Sequence, residues 1–378
     1  MGKTYQHLGD YSGLVDAARR SHSLYPIARP GKATQKRLRH ALSFEPGPAR
    51  PQKVRIEKRW QKNGVNGELV TWSVGYGPRT AAWMLRPTDV KGKLPGVLAL
   101  HDHGGFKYHG KEKIAEGPGP MPRTMPARYE KAYGGRPFAN ELARRGFAVL
   151  VHDLFLFGSR RFPKNQIPSR YRDLGRLLAD QAAAPGKPMT EHLYNNMAGH
   201  HEGNVGDYCR LLGTSISGID CYEDRVAASY LAGRSDVCGP KIGCVGLSGG
   251  GMRTAVMQAT CNRVGCAVVV GAMYTYESLL DHNVCNHGSD YMPVGWSHLG
   301  DWSDIAACRA PSPLMVQNNH EDPLFTLAGM RAAHRRIADH YRRVGKPKNY
   351  SGRFYPGPHK FDLPMQEDAF AWLAGHLI

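Results

Sequence analysis

From residue 94 onward the sequence alternates short, continuously apolar runs with stretches of helical periodicity, and few architectures accept that order. The runs are PGVLALH (95 to 101), FAVLVHD (147 to 153), KIGCVGL (241 to 247), VGCAVVVGA (264 to 272), PSPLMVQN (311 to 318) and NYSGRFYP (349 to 356). A strand without polar alternation must be covered on both faces, which crossover helices do in parallel sheets. Helical patterns near 136 to 145, 217 to 232, 249 to 261, 326 to 343 and 364 to 376 provide that cover. Strands and helices in this alternation predict an α/β protein with an open, mainly parallel, twisted sheet and helices on both faces. Ahead of them, VRIEKRWQ (54 to 61), ELVTWSV (68 to 74) and TAAWMLRP (80 to 87) read as an antiparallel meander at one edge. The first two flank NGVNG, whose Asn-Gly steps favour the positive φ of hairpin turns.

Single cores seldom grow past roughly 250 to 300 residues, so a chain of 378 residues has the length for one large domain carrying insertions or for two ordinary domains; the strand and helix order is read as one domain, 53 to 378, with insertions. The connections 154 to 214 and 273 to 310 are too long for simple loops; at the carboxyl ends of strands they would wall or lid a crevice. Residues 1 to 52, punctuated by YPIARPGK and FEPGPARP, read as a basic arm laid over the core. Net charge is +18, and residues 1 to 60 hold 13 Lys and Arg against 4 Asp and Glu. Such a field attracts anions, but a solvated basic face is the simpler account, and no zinc finger or RNP-like aromatic string points to nucleic acid. No apolar run nears the ~18 residues of a membrane helix, and the amino terminus lacks the apolar stretch of a secretory signal. The expectation is a cytoplasmic protein that binds neither nucleic acid nor membrane, with self-association left open. All eight cysteines lie between Cys209 and Cys308 without a C-x-x-C pair, which suits buried free thiols better than a disulfide or zinc framework.

The chemistry centres on KIGCVGLSGGGMRT, where a strand pattern ends in Gly246-Leu247-Ser248-Gly249-Gly250 and a helical pattern follows. A serine at a sharp strand-to-helix turn needs small neighbours, and the helix amino terminus favours negative charge developing beside its hydroxyl. Such a hydroxyl needs a base, and the base needs an orienting acid. Asp322 in NNHEDP and His359 in PGPHKF follow the two last predicted strands, in the order Ser, Asp, His, so both fall on the side of the sheet that carries Ser248. Glu321, Asp301 and Asp304 are alternative acids, although the last two sit where they would cap a short helix. His320 is the alternative base. The loop His101-Asp102-His103-Gly104-Gly105-Phe106 follows the first inner strand; with the Gly249 N–H, the amides of His103 and Gly104 are candidates for an oxyanion hole. The His-x-His spacing also admits a metal, but no H-E-x-x-H or clear third ligand accompanies it, so neither metal nor cofactor is expected. Phe106, Arg253, Tyr274 and Trp296 are candidate substrate contacts: the aromatics would suit an aromatic or sugar-derived ester and the arginine a carboxylate.

Taken together, LHDHGGFKYHGKEK, DLFLFGSRR, KIGCVGLSGGGMRT, QNNHEDPLF and PGPHKFDLPMQEDAFAWL resemble the dienelactone hydrolase-like and acetyl-xylan-esterase-like branch of the α/β-hydrolases. The resemblance covers roughly residues 80 to 378 and implies a carboxylic-ester hydrolase with Ser248, Asp322 and His359 in the matching places. The sequence departs from the smaller dienelactone hydrolases, whose nucleophile is typically cysteine, and from the usual H-G-H-G-G in carrying Asp102. A peptidase or amidase using the same three residues, and a silent scaffold used for binding, are the rival readings.

Overall fold

The computed structural model describes residues 3 to 182, 189 to 282, 284, 287 to 288 and 292 to 378. Its strands are β1 (Gln52–Lys62), β2 (Val65–Ser73), β3 (Thr80–Pro87), β4 (Gly96–Leu100), β5 (Ala148–His152), β6 (Ile242–Leu247), β7 (Val264–Val270), β8 (Leu314–Asn319) and β9 (Tyr350–Tyr355). They form one sheet in the order β1-β2-β3-β5-β4-β6-β7-β8-β9. The pairs from β1 to β5 along that order are antiparallel, and those from β5 to β9 are parallel. The chain leaves β4 for β5 on one side and resumes at β6 on the other, the reversal at which open α/β sheets form a crevice.

The apolar runs are strands because both of their faces are covered. Leu98 and Leu100 of β4 enter one core while Val97 and Ala99 enter the other, and the same alternation divides Ala267 and Val269 from Val268 and Val270 in β7. The helices, in chain order, are α1 (Gly13–Ser21), α2 (Lys32–Leu42), α3 (Met125–Tyr133), α4 (Phe138–Arg144), α5 (Ser169–Ala182), α6 (Met189–Leu211), α7 (Ile216–Ala232), α8 (Gly249–Thr260), α9 (Tyr276–Asp281), α10 (Trp302–Ala307), α11 (Leu327–Arg343) and α12 (Leu363–Leu377). The first core is closed by α2, α7, α8, α10 and α11, the second by α3, α4 and α12. None of the described helices is long and apolar enough to cross a membrane.

The hairpin differs in detail from its sequence pattern. Only the first Asn-Gly step turns the chain, with Asn63 at φ 49° and Gly64 at φ 75°. The second lies inside β2, where Gly67 faces Trp60 and a Cβ would come within 2.1 Å of the indole. The glycine therefore serves packing, and β2 begins three residues earlier than its apolar pattern suggested.

The amino-terminal segment is fastened to the core. Ala28 N–H donates to Asp304 at 3.0 Å and Gly31 N–H to the Cys308 carbonyl at 2.9 Å, while Leu38 and Leu42 of α2 are buried. Both long insertions carry helices. The first, with α5 and α6, packs Tyr194 and Met197 on Ile167 in a cluster of its own. In the second, Asp301 caps α10, accepting from Ser303 N–H at 3.1 Å, and also accepts from Tyr276 N–H at 3.0 Å.

Candidate active site

The carboxyl ends of β4, β6, β8 and β9 bring together the polar residues that sequence spacing singled out. Ser248 follows β6 and precedes α8 with φ 58° and ψ −124°, a conformation that L-residues adopt only where surroundings enforce it. Its N–H donates to the Val270 carbonyl at 2.9 Å, and its own carbonyl accepts from Met252 N–H at 2.8 Å, so the turn is locked on both sides. The neighbouring glycines permit this. A Cβ on Gly246 would lie 2.6 Å from the Gly250 carbonyl group, and one on Gly250 would lie 2.2 Å from the Leu100 carbonyl oxygen. The start of α8 thus rests directly on the end of β4. Gly250→Ala is expected to destabilise the fold by about 1 to 3 kcal/mol through overpacking against backbone that has nowhere to move; urea unfolding measures it.

Asp322 follows β8 and His359 follows β9. The Asp322 carboxylate is buried, and its Oδ2 lies 2.6 Å from Nδ1 of His359, whose side chain is 18% exposed. Asp322 Oδ1 accepts the Leu324 N–H at 2.9 Å. With Nδ1 held by the carboxylate, Nε2 is the nitrogen left to act; it is buried and has no hydrogen-bond partner among the described residues. The ring packs over Gly271, where a Cβ would sit 2.9 Å from Cε1, so the imidazole lies at the end of β7, the strand whose Val270 carbonyl holds Ser248.

The alternative acids and base are engaged elsewhere. Glu321 accepts the Gly357 N–H and so braces the turn that carries His359. Asp304 is buried between Arg336 and His340. His320 packs on Phe354.

No family model matches the chain. Among curated proteins, the one named Putative hydrolase YtaP, from Bacillus subtilis (strain 168), is 25% identical over 304 residues, covering 80% of this chain and 84% of that protein. A Bacteroides fragilis protein described as a putative acetyl xylan esterase superposes with a TM-score of 0.64 at 17% identity, covering 94% of this chain and 83% of that one. A glucuronoyl esterase from Solibacter usitatus gives 0.60 at 13% identity, covering 93% and 97%. The chain has the α/β-hydrolase fold.

In this fold the loop after β4 is held by a buried network that sequence reading missed. Asp102 accepts from the Tyr133 hydroxyl at 2.5 Å and pairs with Arg128, anchoring the loop to α3. That contact is the physical reason for Asp102. Gly104 and Gly105 follow at φ 56° and 71°, and a Cβ on Gly104 would strike both Arg128 and Asp102. His103 accepts Gly105 N–H on Nδ1 at 3.1 Å, so Nε2 carries the proton and faces Glu202 of α6 at 3.1 Å. Burial, and Lys107 beside it, lower the His103 pKa. Burial raises that of Glu202, but Lys107 and His103 outweigh it and hold the carboxyl at about 2. Glu202 therefore ties the first insertion to this loop as a charged group. His101 turns Nδ1 to the Asp102 carbonyl at 3.0 Å, and no group of three metal-ligating side chains occurs among the described residues.

Three candidate substrate contacts are buried. Arg253 is 4% exposed, bound to both oxygens of Asp224 at 3.0 and 2.5 Å, and to the His101 carbonyl at 3.1 Å. It fastens α8 to α7 and to the end of β4. Tyr274 is buried, stacked between Trp302 and Phe325 with centroids 5.6 and 5.0 Å away. Trp296 is fully buried and donates its indole N–H to the Asp301 carbonyl at 3.0 Å. Phe106 is half-buried on the loop, with Arg128 over its ring at 5.0 Å.

Proposed function

We propose that the chain is a serine hydrolase that cleaves a carboxylic ester or lactone, of the dienelactone hydrolase-like and acetyl-xylan-esterase-like kind, and that it acts in the cytoplasm. The observation that carries this reading is the 2.6 Å pairing of His359 Nδ1 with buried Asp322 on the edge where Ser248 occupies a locked, positive-φ turn. The names of the similar proteins, acetyl xylan esterase and glucuronoyl esterase, favour an ester over an amide. A reducing compartment suits Cys221, Cys238, Cys244, Cys261, Cys266 and Cys308, which are free thiols.

In this reading His359 Nε2 takes the Ser248 proton as the serine oxygen attacks the substrate carbonyl. The N–H groups of Gly249 and of His103 or Gly104 stabilise the oxyanion, each contributing about 3 kcal/mol to the transition state. The histidine proton passes to the departing alkoxide, leaving an ester on Ser248. Water then attacks that ester, giving its proton to His359, and the acid leaves as the serine is reprotonated. Asp322 keeps the Nδ1–H tautomer throughout.

A fluorophosphonate probe tests the reading. It is expected to label the wild type at Ser248 and to leave Ser248→Ala unlabelled. A folded wild type that stays unlabelled overturns it.

A further inference from the structure

Behind the loop that follows β4 lies a lysine with no exposure at all. Lys113 sits in the short turn Lys111–Lys113 and is 0% exposed. Its hydrogen bonds go to two successive carbonyls, of Asp102 at 2.5 Å and of His103 at 3.1 Å. Its Nζ lies over the Phe157 ring, 4.5 Å from the centroid. A buried amine spent on backbone carbonyls is unusual, because a lysine seldom enters a core without an acidic partner.

The peptide plane explains what such an arrangement does. In a trans peptide the N–H points opposite to the C=O. The Asp102 carbonyl shares its plane with the His103 N–H, and the His103 carbonyl shares its plane with the Gly104 N–H. Drawing both carbonyls inward to one amine turns both N–H groups outward together. We propose that Lys113 is a positioning residue that clamps the Asp102 and His103 carbonyls so that the His103 and Gly104 N–H groups face the reacting carbonyl; this rests on the serine hydrolase reading above.

Other features of the loop agree. His101 Nδ1 faces the same Asp102 carbonyl at 3.0 Å, the Phe106 N–H donates to the His103 carbonyl at 3.2 Å, and Asp102 is held by Tyr133 and Arg128. These contacts restrain the two planes without replacing the amine, which is the one group among the described residues that bridges both carbonyls. Burial, with Lys107 and Arg253 nearby, pushes the Lys113 pKa well down. Charged or neutral, the amine keeps two N–H donors, one for each carbonyl. Lys113 is fully buried behind the loop, so its effect is confined to how well the loop meets developing negative charge.

The test separates transition-state binding from general damage. In Lys113→Met, kcat for an aryl ester is expected to fall about 10- to 100-fold with KM within about threefold, a fraction of the loss seen when a hole donor is deleted outright. Inhibition by a trifluoromethyl ketone, whose serine adduct carries an oxyanion, is expected to weaken by the same factor, while the matching methyl ketone binds as before. Unchanged kcat, or equal weakening for both ketones, overturns the clamp. A second measurement needs no variant: on forming the trifluoromethyl ketone adduct, the amide protons of His103 and Gly104 in the wild type are expected to move downfield. If neither moves in a protein whose Ser248 takes up the fluorophosphonate, the clamp is wrong and the hydrolase reading survives. A wild type that does not take up the probe overturns both.

Discussion

Replacing Ser248 by alanine is expected to lower ester turnover by about a million-fold while substrate affinity changes little. The substitution removes one oxygen and keeps the Cβ, so the φ 58°, ψ −124° turn and its bonds to Val270 and Met252 persist. What disappears is the covalent route through Ser248, whose proton transfers His359 assists. The residual rate then reports the loop and the helix terminus alone, which in known serine hydrolases still exceeds the uncatalysed reaction by about a thousand-fold. Steady-state kinetics on an aryl ester, with binding of the same ester followed by calorimetry, measures both quantities. A variant that hydrolyses the ester at even a tenth of the wild-type rate would move the nucleophile away from Ser248.

The strands were legible because each is short, apolar on both faces and bounded by turn residues, and β4 to β9 lie within a few residues of their apolar runs. The register of β2 was not, because the role of Gly67 depends on Trp60 of the facing strand. The spacing of Ser248, Asp322 and His359 was legible for a topological reason: each follows a strand, and parallel strands share one carboxyl edge. Residues judged by proximity to a motif fared worse. Arg253 is five positions after Ser248, which on a helix of 3.6 residues per turn puts it about 140° around the axis, toward α7 and away from the crevice. For Tyr274 and Trp296, a place in an insertion allows either lining a pocket or packing, and large aromatics are the residues best able to pack an insertion onto the sheet. Lys107, Lys113, Arg128 and Glu202 went unread as a group. Charged residues so rarely enter cores that sequence alone places them outside; here Asp102, Glu202 and backbone carbonyls admit them.

Asp322→Asn is expected to lower kcat by about 10,000-fold with the fold intact, and the hydrogen bonds around the carboxylate say why. The Leu324 N–H donates to Oδ1, which demands an acceptor there. An asparagine satisfies that demand only by placing its carbonyl oxygen at Oδ1 and its NH2 at the position of Oδ2, 2.6 Å from His359 Nδ1 in the wild type. Two donors cannot face each other, so the imidazole must carry its proton on Nε2 and present Nδ1 as the acceptor. The nitrogen that should take the Ser248 proton is then blocked, although every heavy atom stays in place. Activity is expected to return partially above neutral pH in step with hydroxide, since a hydroxide ion can do what the blocked base no longer does. Kinetics across pH 6 to 10, with thermal melts as a control on folding, tests both features. An undiminished rate would leave Glu321 as the remaining acid on that loop, but its carboxylate already accepts the Gly357 N–H. Releasing it to reach His359 would loosen the very turn that holds the imidazole, so of the two carboxylates on that loop Asp322 is the one placed to orient the imidazole without unseating it.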